Sequence, residues 1–294
     1  MLQSVSGVGI DAARVDGDTP FHQLSLCFER ERFRVMRQDP PWKVVRAFVL
    51  PGSASLVHLH NVSGGALAGD RLSLDVEVKA GAAAQITTTG ATRLYRHRAG
   101  AADSEQHVRF SVGDAALLEY LPDAVIPFGG SRHVQRTEIL LGLGAALFWW
   151  EVLAPGRLAA GERFAFERLR VHTQVYAGPR PVLRENFLLE PRQRELSTTP
   201  RMFEYSHVAS LYVVQEGRPP KFWRVLEDRL NEIARERTRP RQDVWGASTL
   251  ASDGVIVRGL SVSGCFIHEA LIEFWRTARL AVWGEDAAPP RKIY

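Results

Sequence analysis

Three sets of polar residues in this 294-residue chain have the types and spacing that do chemistry. The first is His58-x-His60. Residues two apart in a strand point to the same face, so both imidazoles could clip one divalent metal ion. The same pair on the outward face of an edge strand would simply be solvated, and nothing nearby in sequence supplies a third ligand. The second set is acidic and sits beside tight turns: Asp70 behind Gly64-Gly65 and Gly69, Glu119 and Asp123 around Pro122, and Glu162 behind Gly161. A carboxylate in a loop held rigid by glycine and proline is one way to build a site. It is equally a way to satisfy backbone N–H groups in an Asx turn. Two such carboxylates at the right separation could serve as the acid and nucleophile of a glycosidase. The third set is Arg93, Arg96, His97 and Arg98 with Tyr95 among them, after Thr87-Thr88-Thr89. Such a run suits either a phosphate backbone or a solvated loop.

The usual catalytic signatures are missing. There is no phosphate-binding P-loop, no G-x-G-x-x-G, no zincin helix and no G-x-S-x-G elbow. These absences argue against a nucleotide-dependent enzyme, a dehydrogenase and a common hydrolase. Cys27 and Cys265 lie far apart, without a C-x-x-C, so neither a disulfide framework nor a zinc ribbon is indicated. The net charge of +4, from 37 basic and 33 acidic residues, is too small to mark a nucleic-acid binder. The longest apolar stretch, Ile139 to Trp150, falls short of the roughly 20 residues a spanning helix needs. The first 20 residues hold no apolar block and do not form a signal peptide. The expectation is a cytoplasmic protein without a membrane or nucleic-acid partner, a flexible segment over 1–20 and a single domain over 21–294.

The elements that must position these groups are mostly strands. Leu72, Leu74, Val76 and Val78 fall on one face of Arg71–Val78, and Leu24–Phe28, Ala54–His60, Gln106–Val112 and Arg132–Leu141 alternate similarly. Turn signals such as Pro51-Gly52, Gly64-Gly65, Gly129-Gly130 and Pro155-Gly156 separate them. Strands at this spacing predict a mostly β, layered architecture rather than βαβ units. The Trp149-Trp150 pair and Phe148 belong to its core. Two helices are predicted near the C-terminus, over about 219–239 and 265–283, with one strand, Gly254–Arg258, between them. Gly284 is placed to end the second helix. The first helix carries a stripe of Phe222, Trp223, Leu226 and Leu230. That stripe either lies against a partner protein or covers one end of the β layers.

The turn blocks also carry a resemblance. Ser63-Gly64-Gly65-Ala66-Leu67-Ala68-Gly69-Asp70 resembles the S-G-G-x-x-x-G-D signature of the urease accessory protein D family. Thr87 to Arg96, Leu117 to Phe128 and Gly156 to Phe164 resemble its T-T, L-E-Y-x-P-D and G-R-x-A-x-G-E-x-F blocks, in order. Arg276, Arg279, Gly284 and Pro290-Arg291 resemble its closing pattern. Ala124 departs from the family's proline.

The resemblance implies a scaffold, not an enzyme. It implies a β-helix-like, two-layer fold with C-terminal helices. It implies binding to apo-urease and to the helical partner UreF, which recruits the GTPase UreG, and a water-filled internal route for Ni²⁺. Nickel is then the only metal, in transit, and no organic cofactor is held. A dication in transit needs ligands that exchange, so scattered carboxylates suit it better than a closed cage. Carried over by motif position, Asp70, Glu119, Asp123 and Glu162 are the candidate nickel contacts. Gly64, Gly65, Gly69, Pro122, Arg157 and Gly161 are the structural motif residues, and His58 and His60 remain candidates from spacing alone. The other reading is a β-solenoid protein that acts on or binds carbohydrate through a carboxylate pair.

Overall fold

A computed structural model describes residues 21–50, 54–199, 201–286 and 289–290. The flexible segment expected over 1–20 and the tail positions 291–294 lie outside the described residues. The strands begin with β1 (His22–Phe28), β2 (Phe33–Gln38), β3 (Trp42–Lys43), β4 (Ala47–Val49), β5 (Ser55–Asn61), β6 (Gly65–Ala66) and β7 (Arg71–Val78). Next come β8 (Ala83–Thr88), β9 (Thr92–Leu94), β10 (Ser104–Val112), β11 (Leu117–Tyr120), β12 (Val125–Pro127), β13 (Arg132–Leu141) and β14 (Ala146–Leu153). The chain continues with β15 (Arg168–Ala177), β16 (Arg180–Leu189), β17 (His207–Gln215), α1 (Pro220–Arg237), β18 (Asp243–Thr249), β19 (Gly254–Ser261) and α2 (Gly264–Trp283).

The strands make a seven-stranded sheet, ordered β16-β15-β13-β10-β7-β1-β2, and a twelve-stranded one whose main path runs β18-β19-β17-β14-β11-β8-β5-β3. From β5 to β15 the longer strands alternate between the two sheets. Neighbours within each sheet are therefore parallel: β7, β10, β13 and β15 in one, and β5, β8, β11 and β14 in the other. Parallel pairing requires a crossover, commonly a helix. Here a strand of the opposite sheet makes it, so the chain is mostly β without βαβ units.

Two apolar layers result. Between the sheets lie Leu74, Phe110, Ile139, Leu147, Trp149 and their neighbours. Between the twelve-stranded sheet and the helices lie Phe148, Trp150, Leu211, Leu271 and Phe274. Successive residues of β14 thus enter opposite layers. That is why Ile139–Trp150 reads as one apolar run: a strand buried on both faces does not alternate. Gly142 and Gly144 break the run in space, Gly144 at a φ of +67° that favours glycine.

Helix α1 opens on Pro220 and buries Trp223, Leu226, Leu230 and Ala234. Its stripe, with Phe222 half-buried beside it, packs on the twelve-stranded sheet. This corrects the partner-docking reading of Phe222, Trp223, Leu226 and Leu230: the last three are buried in the fold, and Phe222 alone keeps part of its surface. Gly284 ends α2 in the left-handed conformation, as its position predicted. The chain after Pro200 also holds β17 and β18. The first is an apolar run buried on both faces, with no period-two signature. Among the described residues, no helix is long and apolar enough to cross a membrane.

Candidate functional site, braced turns around neighbouring cavities

The turn blocks hold one another. Gly65 pairs with Arg93 across β6 and β9, and a Cβ there would stand 2.2 Å from the Arg93 carbonyl oxygen. No larger residue fits. Asp70 closes its own turn: the Leu67 N–H donates to Asp70 Oδ2 at 2.8 Å, and the Asp70 N–H donates back to the Leu67 carbonyl at 3.0 Å. Thr88 and Asp123 exchange two bonds. The threonine hydroxyl donates to Oδ2 at 3.0 Å and accepts from the Asp123 N–H at 2.8 Å. The Pro122 carbonyl accepts the Trp150 indole N–H at 2.8 Å.

Glu162 accepts two bonds from Arg157, at 2.9 and 2.5 Å, and one from the Gly129 N–H at 3.0 Å. The guanidinium is itself stacked 4.5 Å over Phe128. The Arg157 bond, then the Gly129 N–H, hold the Glu162 carboxyl at a pKa of about 2. A depressed carboxylate pKa stabilises the fold above the ordinary value, and that contribution is lost as pH falls toward 2. Glu162→Gln is therefore expected to lower the melting temperature at pH 6, with the gap from wild type narrowing as pH falls from 5 toward 2. A gap constant with pH would show that the charge contributes nothing.

Glu119 is the most enclosed of the four motif acids, at 1% exposure. Strand alternation sends Leu118 and Tyr120 between the sheets and Leu117, Glu119 and Leu121 toward the helices. There its carboxylate accepts from Gln85 Nε2 at 3.0 Å, Trp275 Nε1 at 2.9 Å and Arg279 Nε at 2.9 Å. Arg279 Nη1 goes on to donate to the carbonyls of Glu285 and Asp286, at 2.7 and 2.8 Å. Burial pushes the Glu119 carboxyl above its ordinary pKa, while the Arg279 charge and the three N–H donors pull it back. This pair ties the middle of the sheet to α2 and the chain beyond it.

Three neighbouring cavities share lining residues drawn from both sheets. The first, about 220 Å³, is lined by Asn61, Gly64, Gly65, Thr88, Arg93 and Tyr120 among others. The second, about 40 Å³, shares Thr92, Gln106 and Tyr120 with it and adds Asp123, His133, Gln135 and Glu151. The third, about 620 Å³, shares Glu151 and has a mostly apolar wall, where Phe164, Phe187, Leu189 and Met202 stand with Glu185, Tyr212 and Arg258. Glu185 accepts from the Tyr212 hydroxyl and pairs with Arg258, joining the edge strand β16 of one sheet to β17 and β19 of the other.

Of the four motif acids, Asp123 alone lines these cavities. Asp70 and Glu162 brace turns, and Glu119 faces the opposite side of its sheet. No two of the four meet across a cavity as a glycosidase pair would. His58 and His60 do share a face, with Val45, Arg46 and Phe48 around a separate pocket of about 330 Å³. However, β5 lies between β8 and the short β3 and β4, so it is no edge strand. His58 is 3% exposed, its ring edge-on to Phe48 at 5.6 Å, which corrects the solvated reading. Burial, then the neighbouring His58, hold the His60 pKa below its ordinary value. Among the described residues, no three His, Cys, Asp or Glu form a group that could hold a metal ion.

Sequence reasoning overlooked Gln106, His133, Gln135, Glu151 and Glu185. The available signal was a polar residue at an inward position of an otherwise apolar strand. Glu151, which directly follows the apolar run, shows it best. Burial pushes its carboxyl up to about 8, eased by the Gln135 amide at 3.2 Å. Burial pushes the His133 imidazole down to about 4. Near neutral pH, then, both of these side chains are uncharged. The folded state keeps the Glu151 proton up to about 8, while the unfolded chain releases it near 4.5. Stability should fall as pH rises between those values. Glu151→Gln is expected to match wild type in melting temperature at pH 4 and exceed it at pH 8. An equal difference at both pH values would refute the buried, protonated carboxyl.

Acids spent on bracing turns and a helix around an internal space are the make-up of a scaffold. A family model described as UreD urease accessory protein matches residues 22–293. The chain is 41% identical over 271 residues to the urease accessory protein UreD of Herpetosiphon aurantiacus, covering 92% of this chain and 94% of that one. It is 39% identical over 156 residues to the protein of that name from Dechloromonas aromatica, covering 52% and 53%. A third relative with that name, from Staphylococcus aureus, is 30% identical over 175 residues, covering 59% and 62%. The chain belongs to the UreD family of urease accessory proteins. Its role is in urease maturation, as an assembly factor.

Proposed function

We propose that this protein is the scaffold on which apo-urease receives its nickel. It binds apo-urease and UreF, UreF brings the GTPase UreG, and Ni²⁺ passes between the two sheets toward the urease active site. The observation that supports this reading is the row of three cavities whose walls share Gln106 and Tyr120, then Glu151. Nickel is the cargo and not a resident cofactor. Its path offers single oxygen and imidazole donors spaced along the walls, which bind a borderline dication weakly and let it exchange. The Trp149 indole N–H, buried beside the narrow cavity, has no protein acceptor among the described residues. Such a donor is satisfied by water, and a hydrated path spares the ion full desolvation. Asp123 is the motif acid placed to meet the ion. Asp70, Glu119 and Glu162 act through the fold.

Tagged co-expression with apo-urease, UreF and UreG, followed by size exclusion, tests the assembly. A single co-eluting complex is the expected result. Elution of the folded protein alone from all three would overturn it.

A further inference from the structure

Among the described residues, one face of the seven-stranded sheet lies in the core and the other carries no covering helix or strand; Phe21 packs on it at β7 and β10, against Arg71 and His107, and leaves β13, β15 and β16 open. Both helices pack on the other sheet. Across that outer face the register sets His107 beside Arg136 and Arg136 beside His172. One row over, Arg109, Glu138, Gln174 and Arg184 follow one another. Arg170 stands two residues before His172 on the same face. The carboxylates of this face are already engaged: Glu105, on the far side, with Arg71, His107 and Arg136, and Glu138, on β13, with Arg109. Among the described residues, neither Arg170 nor Arg184 has a carboxylate within ion-pair distance, and both are exposed. Burial, followed by the charges of Arg136, Arg170 and Arg184, holds the His172 imidazole below its ordinary pKa. That half of the sheet therefore carries positive charge that the fold leaves unmatched. Arg184 is at once part of this face and part of the lining of the third cavity.

We infer that the open face over β13, β15 and β16 is the docking surface for an acidic face of a protein partner, which it seats beside the wide end of the cavity row. The guanidinium forks of Arg170 and Arg184 match carboxylates in pairs, and exposed Leu188 and half-buried Tyr176 supply the apolar and aromatic contacts of a protein interface. A nucleic-acid backbone fits less well, because Asp75, Glu105 and Glu138 interrupt the cationic track. The inference rests on the maturation reading for the partner's identity, and on the sheet alone for its acidic chemistry.

The test uses the full chain and two variants, Arg170→Glu/Arg184→Glu and Arg170→Lys/Arg184→Lys. Both positions are exposed, and the melting temperature verifies that each variant folds. Binding to apo-urease and to UreF is measured separately, at 50 and 300 mM salt. The charge reversal should weaken one of these contacts at least tenfold and flatten its salt dependence, while the lysine variant stays near wild type. Unchanged binding of both partners by the charge reversal would overturn the docking surface and leave the maturation reading intact. If wild type itself binds neither partner, the maturation reading fails, and the partner assigned here falls with it. Loss of binding to poly(U) RNA, with both protein contacts kept, would reassign the face to nucleic acid and overturn the inference.

Discussion

Arg279→Ala is expected to destabilise this protein by about 3–5 kcal/mol, the usual cost of removing one partner from a buried ion pair. At roughly 2–4 °C per kcal/mol for a chain of this size, the melting temperature should drop by on the order of 10 °C. The reason is local and specific. Glu119 would keep its place between β11 and α2 with only the Gln85 and Trp275 N–H groups facing it. The carbonyls of Glu285 and Asp286 would lose their donor as well. Removing both charges, in Glu119→Gln/Arg279→Met, should recover much of the loss, since an apolar or neutral replacement carries no stranded charge. Thermal melts of the three proteins by circular dichroism decide the matter. A single variant melting within 2 °C of wild type would mean that the pair is not the brace it is taken to be.

The second large effect concerns the path. Gln106 lines both the first and the second cavity, and its side chain points inward from β10. Gln106→Trp should fill the junction. Overpacking of this kind costs about 1–3 kcal/mol, which a chain with two apolar layers withstands. Complex formation should therefore survive, while the nickel content of urease matured with the variant falls at least tenfold. Gln106→Ala, which widens the junction, should leave maturation near wild type. Full nickel loading with the tryptophan variant would place the route elsewhere.

Much of this was legible in the sequence, and the limits have physical causes. Period-two alternation gives Arg71–Val78 and Arg132–Leu141 with their full bounds, because one face of each meets the core and the other meets solvent. Strands buried on both faces lose that signature. β14 therefore merged with the end of β13, and β17 went unread. The motif blocks carried the family, but they did not carry the roles of their acids. Asp70 and Glu162 stand beside turns because they close them. Glu119 gave no sign in sequence that its partner lies 160 positions away, at Arg279. The cavity walls depend on which inward positions of β10, β13 and β14 face one another across the sheets, and no single strand contains that information. Gln106, Gln135 and Glu151 become a set only once the two sheets are stacked.

The most direct test of the account is the nickel content of urease matured with and without this chain. Urease, UreF and UreG would be co-expressed in a host lacking its own urease genes, and nickel per urease active site counted by mass spectrometry of the purified enzyme. Omitting the chain should lower loading at least tenfold, and restoring it should return nickel and activity together. Urease that loads nickel equally well in its absence would contradict the claim that this protein is a urease maturation scaffold.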